Sequence, residues 1–156
     1  MQREGEISDL LNEVLTAELT SVNQYFVDSK MLDNWGYDVL AQHYRNESID
    51  EMKDADALIG RILFVEGVPN LQRLGTVRVG ESVPEKLQLA LDLEYESIDR
   101  LNRGINRCSE LGDAGTRELL EHILEGEEAH ADWLETQLGL ISKLGEANYL
   151  AQQLRS

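Results

Sequence analysis

The sequence predicts an all-α fold: a four-helix bundle with one long crossover between helices two and three and a short fifth helix at the C-terminus. Three observations predict it. Apolar residues recur at alternating steps of three and four along nearly the whole chain, the period of helices that present one stripe to a shared core. The two prolines, Pro69 and Pro84, leave two long segments free of helix breakers. Turn signals are short in two places and long in one, which is how a bundle with a single crossover is punctuated. A chain of 156 residues can bury a real core, and we read 1–156 as one domain.

Helix one, over 6–34, carries the seam Ile7, Leu11, Val14, Glu18, Ser21, Tyr25. Trp35-Gly36 breaks it from helix two, over 37–66, whose seam is Leu40, Tyr44, Glu47, Glu51, Asp54, Leu58. Gly67 followed by Pro69 ends that helix. Ser82 with Glu85 reads as a capping box opening helix three, over 83–111, with Leu87, Leu91, Glu94, Ile98, Leu101, Ile105 and Cys108 on its seam. Gly112 to Gly115 leads into helix four, over 114–143, with Leu120, Ile123, Glu127, His130, Leu134, Leu138 and Ile141. Gly145 admits a short terminal helix over 146–153. Tight turns make helices one and two antiparallel, and likewise three and four. The crossover between Gly67 and Ser82 has about 16 residues and spans about 50 Å when extended. A 28-residue helix is about 42 Å long, so the linker can run the bundle's length and start helix three parallel to helix two. Val77 and Val79 flank Arg78 within it, a pattern that suits a short β-bridge.

The net charge of −16, from 14 basic and 30 acidic side chains, argues against nucleic acid as a partner and favours cations. Cys108 is the only cysteine, so no intrachain disulfide forms and no C-x-x-C redox or rubredoxin motif exists. The segment from Met1 to Leu10 is polar and acidic, unlike a signal peptide, and no stretch suits a bilayer span. The expected location is cytoplasmic.

One repeat stands out. Glu94, Glu127 and His130 each follow Glu18, Glu51 and Asp54 by 76 residues, and 33 residues separate the lone glutamate from the second motif in each half. All six lie on seams, where apolar residues belong. Two helical hairpins that each bring a glutamate beside a Glu-x-x-(Asp/His) pair build a six-ligand cage for two metal ions. A buried charge costs several kcal/mol even after relaxation, so five carboxylates at one level need protons or cations. Two divalent ions bring +4 against −5, and hard oxygen donors with one imidazole suit iron or manganese rather than copper or structural zinc. A single seam glutamate, or a single E-x-x-H, is ordinarily a solvated or water-linked group; the conjunction at one offset carries the metal reading.

Glu47, one turn before Glu51, reads either as an outer relay or as a solvated end of the cage. Tyr25, on the same face as Glu18, reads either as an electron or proton donor to oxygen species or as a buried tyrosine with a bonded hydroxyl, and Trp133 shares that duality. His43 and His122 fall off the seams and read as surface residues. A second apolar stripe, Leu15, Leu19, Val22 and Phe26, together with Ile49, Met52 and Ile59, predicts a subunit interface. Met52 is rotated about 100° from Glu51. It reads as interface packing, or as a thioether ligand to a haem iron shared across a twofold axis.

The runs LTSVNQYF (Leu19 to Phe26), ESIDEMK (Glu47 to Lys53), RILFVEGVPNLQ (Arg61 to Gln72) and DWLETQLGLI (Asp132 to Ile141) resemble bacterioferritin nearly end to end. The resemblance implies a ferritin-like bundle that assembles into a hollow shell of 24 subunits. It implies a dinuclear iron site that oxidises ferrous iron with oxygen or peroxide, and a haem b between paired methionines. Glu18, Glu51, Glu94, Glu127 and His130 then match metal ligands, with Glu51 and Glu127 bridging, and Met52 matches the haem ligand. Asn34, Glu66, Asp132 and Thr136 match pore residues where subunits meet, and Asn148 matches the fourfold pore. A small associated ferredoxin is the family's electron donor for iron release.

Three positions depart from the pattern. Ala151 stands where a pore glutamine is usual. Asn46 stands where the inner-surface site beside Asp50 usually has histidine. Asp54 stands where the family has the first histidine of the paired motif. An aspartate oxygen can occupy the place of the histidine's Nδ1, but the ligand set then carries one negative charge more than two ferrous ions neutralise. The resemblance therefore implies an altered ferroxidase, or a haem-binding subunit of weak activity that co-assembles with a second, competent subunit type. A DNA-protecting mini-ferritin is disfavoured because its sites lie between subunits, and a rubrerythrin-like peroxidase because C-x-x-C is absent. A helical scaffold without metal is the remaining competing reading.

Overall fold

A computed structural model of the chain describes residues 1–3 and 5–154. Its helices are α1 (Gly5–Asn34), α2 (Asp38–Phe64), α3 (Val83–Leu111), α4 (Ala114–Leu144) and α5 (Glu146–Ala151). α1 packs mainly on α2 and α3 on α4, and the two hairpins meet through α1 against α3 and α2 against α4. The core divides into two clusters. One joins the C-terminal half of α1, the N-terminal parts of α2 and α3, and the C-terminal half of α4, around Tyr25, Leu40, Tyr44, Leu87 and Leu134. The other joins the opposite helix ends around Leu11, Leu58, Leu101 and Leu120. That sharing of ends makes α2 and α3 parallel, as the crossover length requires.

The helix boundaries follow local chemistry. Gly36 sits at φ 91° in the turn after α1. α2 stops at Phe64, two residues earlier than the pattern suggests, because Glu66 takes φ 64° and the Gly67 amide closes onto the Ile62 carbonyl at 2.8 Å. A side chain at Gly67 would begin 2.1 Å from Ser8 Oγ, so glycine is what lets this corner lie against α1. Ser82 caps α3 by accepting from the Glu85 amide at 3.2 Å, while the Glu85 carboxylate reaches back to the Glu81 amide at 3.1 Å. The reciprocal box is thus shifted by one residue on its return arm. Asp113 caps α4 through the Thr116 amide and pairs with Arg61 of α2 at 2.9 Å.

The expected β-bridge at Val77 and Val79 is absent: the described residues contain no strand. The crossover instead clips onto polar side chains of α1. Asn12 accepts from the Asn70 amide at 2.7 Å, Thr20 from the Gly75 amide at 2.8 Å and Gln24 from the Arg78 amide at 2.8 Å. Donors that a bridge would need are already engaged there. α5 is shorter than the span 146–153, ending at Ala151. No helix among the described residues is long and apolar enough to cross a membrane.

Candidate metal centre

The residues singled out by the 76-residue repeat fall between the two apolar clusters on each helix. Glu18, Glu51, Glu94, Glu127 and His130 are all buried, each at most 3% exposed. Asp54 is half-buried. One carboxylate oxygen from each of Glu18, Glu51, Asp54 and Glu127 lies within 4.8 Å of the other three. Glu94 and His130 pair with each other instead, Glu94 Oε1 lying 3.0 Å from His130 Nδ1. The two parts are linked through Glu94 and Glu127, whose carboxyls are close enough to shift each other's charge state. The six groups therefore converge, as four carboxylates beside a glutamate–imidazole pair.

Electrostatics in this layer are those of crowded acids. Burial, then the neighbouring Glu127, pushes the Glu18 carboxyl well above the usual range. Burial and then Glu18 raise Glu51, and burial and then Glu51 raise Glu127. Burial raises Asp54 to about 6, partly offset by the nearby His122. Glu94 goes the other way: burial opposes its charge, but hydrogen bonds with Glu127, His130 and Tyr25 outweigh it and hold the carboxyl below its usual value. Glu18 Oε2, Glu51 Oε2 and Glu94 Oε2 are buried without any hydrogen-bond partner. Acceptors left bare in an apolar interior are costly, and a divalent cation is the partner that fits a set of carboxylate oxygens. The donor set fits a pair of hard-to-borderline ions such as ferrous iron.

A pH dependence follows. Glu18, Glu51 and Glu127 have folded pKa values above their unfolded ones, so the metal-free folded state binds protons more tightly than the unfolded chain. Stability is then lowest at alkaline pH and rises as pH falls toward the unfolded carboxylate pKa of about 4.5. His43 opposes this: burial, then His130, lowers its pKa to about 3, so its share of stability is lost below its unfolded value of about 6.5. Three raised carboxyls outnumber it. The metal-free protein should melt at higher temperature near about pH 5.5 than near about pH 8, and metal binding near neutrality should release protons. Melting curves and calorimetry in buffers of different ionisation enthalpy measure both; a flat or reversed pH trend contradicts the raised values.

Tyr25 is fully buried, donates its hydroxyl to Glu94 Oε1, and meets His130 edge-on with ring centroids 5.3 Å apart. Its bonded hydroxyl orients the glutamate. Glu47 lies at the solvent end, its Oε2 3.5 Å from His130 Nδ1, with a side chain 20% exposed. His43 is not the surface residue that the seam pattern suggests. It is half-buried, stacks on Trp133 at 3.5 Å with 11° between planes, and brings Nε2 to 3.1 Å from His130 Nε2. The overlooked signal is spacing: His43 precedes Glu47 by four residues on α2, and Trp133 follows His130 by three on α4. His122 is exposed, as expected.

Met52 is 56% exposed, and Ile49, three residues before it on α2, is 43% exposed. Phe26 is also exposed, whereas Leu15 of the second stripe is buried in the core rather than on the flank. Asn34, Glu66, Asp132, Thr136 and Asn148 are all exposed, Asp50 pairs loosely with Lys53 at 3.9 Å, and Asn46 accepts from Gln42 at 2.9 Å.

A ferritin-like domain model matches residues 8–144. The chain is 51% identical to the bacterioferritin of Mycolicibacterium paratuberculosis over 97% of this chain and 96% of that protein. This chain belongs to the bacterioferritin family. The bacterioferritin of Streptomyces coelicolor is 50% identical over 97% of this chain and 90% of its own, and that of Brucella melitensis 43% over 96% and 92%. Bacterioferritins are iron-storage proteins of four-helix-bundle fold, and the carboxylate layer described above is compatible with iron.

Proposed function

We propose that this chain is a subunit of a hollow iron-storage shell of about 24 copies, which oxidises ferrous iron inside each bundle and keeps the ferric product as mineral. The whole chain, 1–156, acts as one ferritin-like domain. The observation that carries the reading is the convergence of Glu18, Glu51, Asp54 and Glu127 within 4.8 Å, with Glu18 Oε2 and Glu51 Oε2 buried and without a hydrogen-bond partner. In this reading Glu18, Glu51, Asp54, Glu94, Glu127 and His130 would together hold two ferrous ions. The two ions supply one electron each, matching the two electrons that take oxygen to hydrogen peroxide or peroxide to water. Tyr25 holds Glu94 in place through its hydroxyl. The acidic surface draws ferrous ions toward the shell from its cytoplasmic surroundings.

A second reading is favoured by Asp54 itself. With five carboxylates against two ferrous ions, the subunit oxidises iron weakly, co-assembles with a competent second subunit type, and serves mainly to hold haem b for electron transfer during iron release, with a small ferredoxin as donor. Iron uptake by the purified homomer separates the two. Rapid mineralisation removes the need for a partner subunit; mineralisation no faster than in buffer overturns the first reading.

Haem binding is tested independently. Met52 and Ile49, three residues apart on α2, are both exposed, which suits a thioether ligand offered to a haem between two copies. Met52→Leu keeps the apolar area and removes the ligand. The expected result is loss of the haem absorption band with the oligomer intact by light scattering. Full haem content in that variant would remove Met52 from the haem site.

A further inference from the structure

His43, Glu47 and His130 form a constellation outside the four-carboxylate group. One donor atom from each lies within 4.8 Å of the other two. The two imidazoles approach Nε2 to Nε2 at 3.1 Å, and Glu47 Oε1 lies 3.9 Å from His43 Nε2. Two nitrogens bound to one ion at about 2.1 Å stand about 3.0 Å apart at a right angle and about 3.4 Å apart at a tetrahedral one. The observed separation falls between those values. The arrangement is also held in advance. His43 and Glu47 are four residues apart on α2, and the Trp133 ring lies flat against His43. The side chains of His43 and Glu47 are 23% and 20% exposed, so solvent can reach the site and supply further ligands.

We propose that His43, Glu47 and His130 make a third cation site, solvent-facing and distinct from the dinuclear pair, for a divalent ion of borderline softness. Two imidazoles and one carboxylate with open positions suit ferrous iron, zinc or cobalt, and disfavour magnesium and calcium, which prefer all-oxygen sets. His130 lies between the two environments: Nδ1 meets Glu94 at 3.0 Å and has Glu47 Oε2 at 3.5 Å on its edge, while Nε2 meets His43 at 3.1 Å. An ion held by His43 therefore sits one imidazole away from the inner carboxylates, on the solvent side. That is the place of a staging post for iron moving between solvent and cage. The site stands on its own geometry, and it requires neither ferroxidase activity nor haem.

Cobalt(II) titration of the assembled, demineralised protein tests it, with calorimetric stoichiometry and Trp133 fluorescence as readouts in a Trp35→Phe background. His43→Phe keeps a ring against Trp133 and removes the nitrogen. The expected result is one cobalt ion fewer per subunit than in the parent, with the cobalt quenching of Trp133 weakened at least tenfold in apparent affinity. Glu51→Gln should lose inner ions and keep the His43-dependent one, so failure of the outer site and failure of the inner site give different patterns. Equal stoichiometry and affinity in His43→Phe would overturn the proposal and leave the contact as a ring-to-ring hydrogen bond. A zinc soak of the unmutated protein decides the matter even if the variant does not assemble: an anomalous peak between His43 and His130 supports the site, and its absence at full inner occupancy refutes it.

Discussion

Glu51→Gln should abolish rapid ferrous oxidation and, at the same time, raise the melting temperature of the metal-free protein. The two halves of this expectation have one cause. Glu51 is 3% exposed, lies within the four-carboxylate group, and leaves Oε2 without a partner. Its carboxyl is pushed well up by burial and by Glu18, so the fold tolerates the group rather than gaining from it. A glutamine keeps the shape, carries no charge, and can donate to the Glu18 and Glu127 oxygens beside it. Relief of one crowded acid is worth about 1–3 kcal/mol, and for a chain of this size each kcal/mol moves the midpoint by about 2–4 °C. The amide, however, is a poor replacement for a carboxylate placed between two ions. Even groups one step removed from a bound metal cost about 10–100-fold when altered, so loss of a central ligand should cost at least about 100-fold in initial rate. Stopped-flow oxidation under excess ferrous iron and calorimetric melting of the demineralised protein measure the two effects. A variant that keeps its oxidation rate would detach the carboxylate layer from the chemistry. One that melts lower would show that Glu51 holds the bundle together in its own right. Neither result is compatible with a layer that persists because cations compensate it.

The parts of this molecule that were legible in the sequence are those governed by a period. Seam positions at steps of three and four are buried because one face of each helix must be, so Glu18, Glu51, Glu94, Glu127 and His130 could be placed inside before any coordinates. The repeat at one offset then implied that they share a level, and they do. Helix ends were legible where a residue type dictates backbone geometry, as at Gly36, Ser82 and Gly112. The end of α2 was less so, since Glu66 adopts a positive φ without being glycine and no rule of residue type announces it. The crossover was legible in length but not in its bonding. Valines around Arg78 suggested a bridge, and the backbone instead bonds to Asn12, Thr20 and Gln24, polar residues on the flank of α1 whose role depends on what lies across from them. His43 was misread for the same kind of reason. Its helix face is only the edge of the seam; its burial comes from Trp133, a residue on a different helix. Periodicity tells which face is covered, and tertiary contact decides what happens along its margins.

Asp54→His is the change with the largest expected gain. Asp54 belongs to the four-carboxylate group, and burial raises its pKa to about 6 with only partial relief from His122. At neutral pH it is therefore mostly charged, and with Glu18, Glu51, Glu94 and Glu127 it makes five negative groups facing two ferrous ions. An excess anion favours binding but also favours retention, and it leaves the ferric pair held in a site that must release it. A neutral imidazole at the same position balances four carboxylates against +4 and restores the symmetry that Glu127-x-x-His130 already shows in the other half. The variant should oxidise ferrous iron about tenfold faster or more, and should turn over repeatedly where the parent slows after its first two ions per subunit; tenfold corresponds to about 1.4 kcal/mol in the barrier. Asp54→Asn is the necessary companion. It removes the charge without supplying a good ligand, so it should not share the gain; if it does, charge alone limits the parent and the imidazole is incidental. Oxidation kinetics and metal stoichiometry on the three homomers decide among these outcomes. If Asp54→His changes neither the first turnover nor the later ones, the aspartate is no impediment, and the reading of this chain as a weak, haem-serving subunit loses the observation that favoured it.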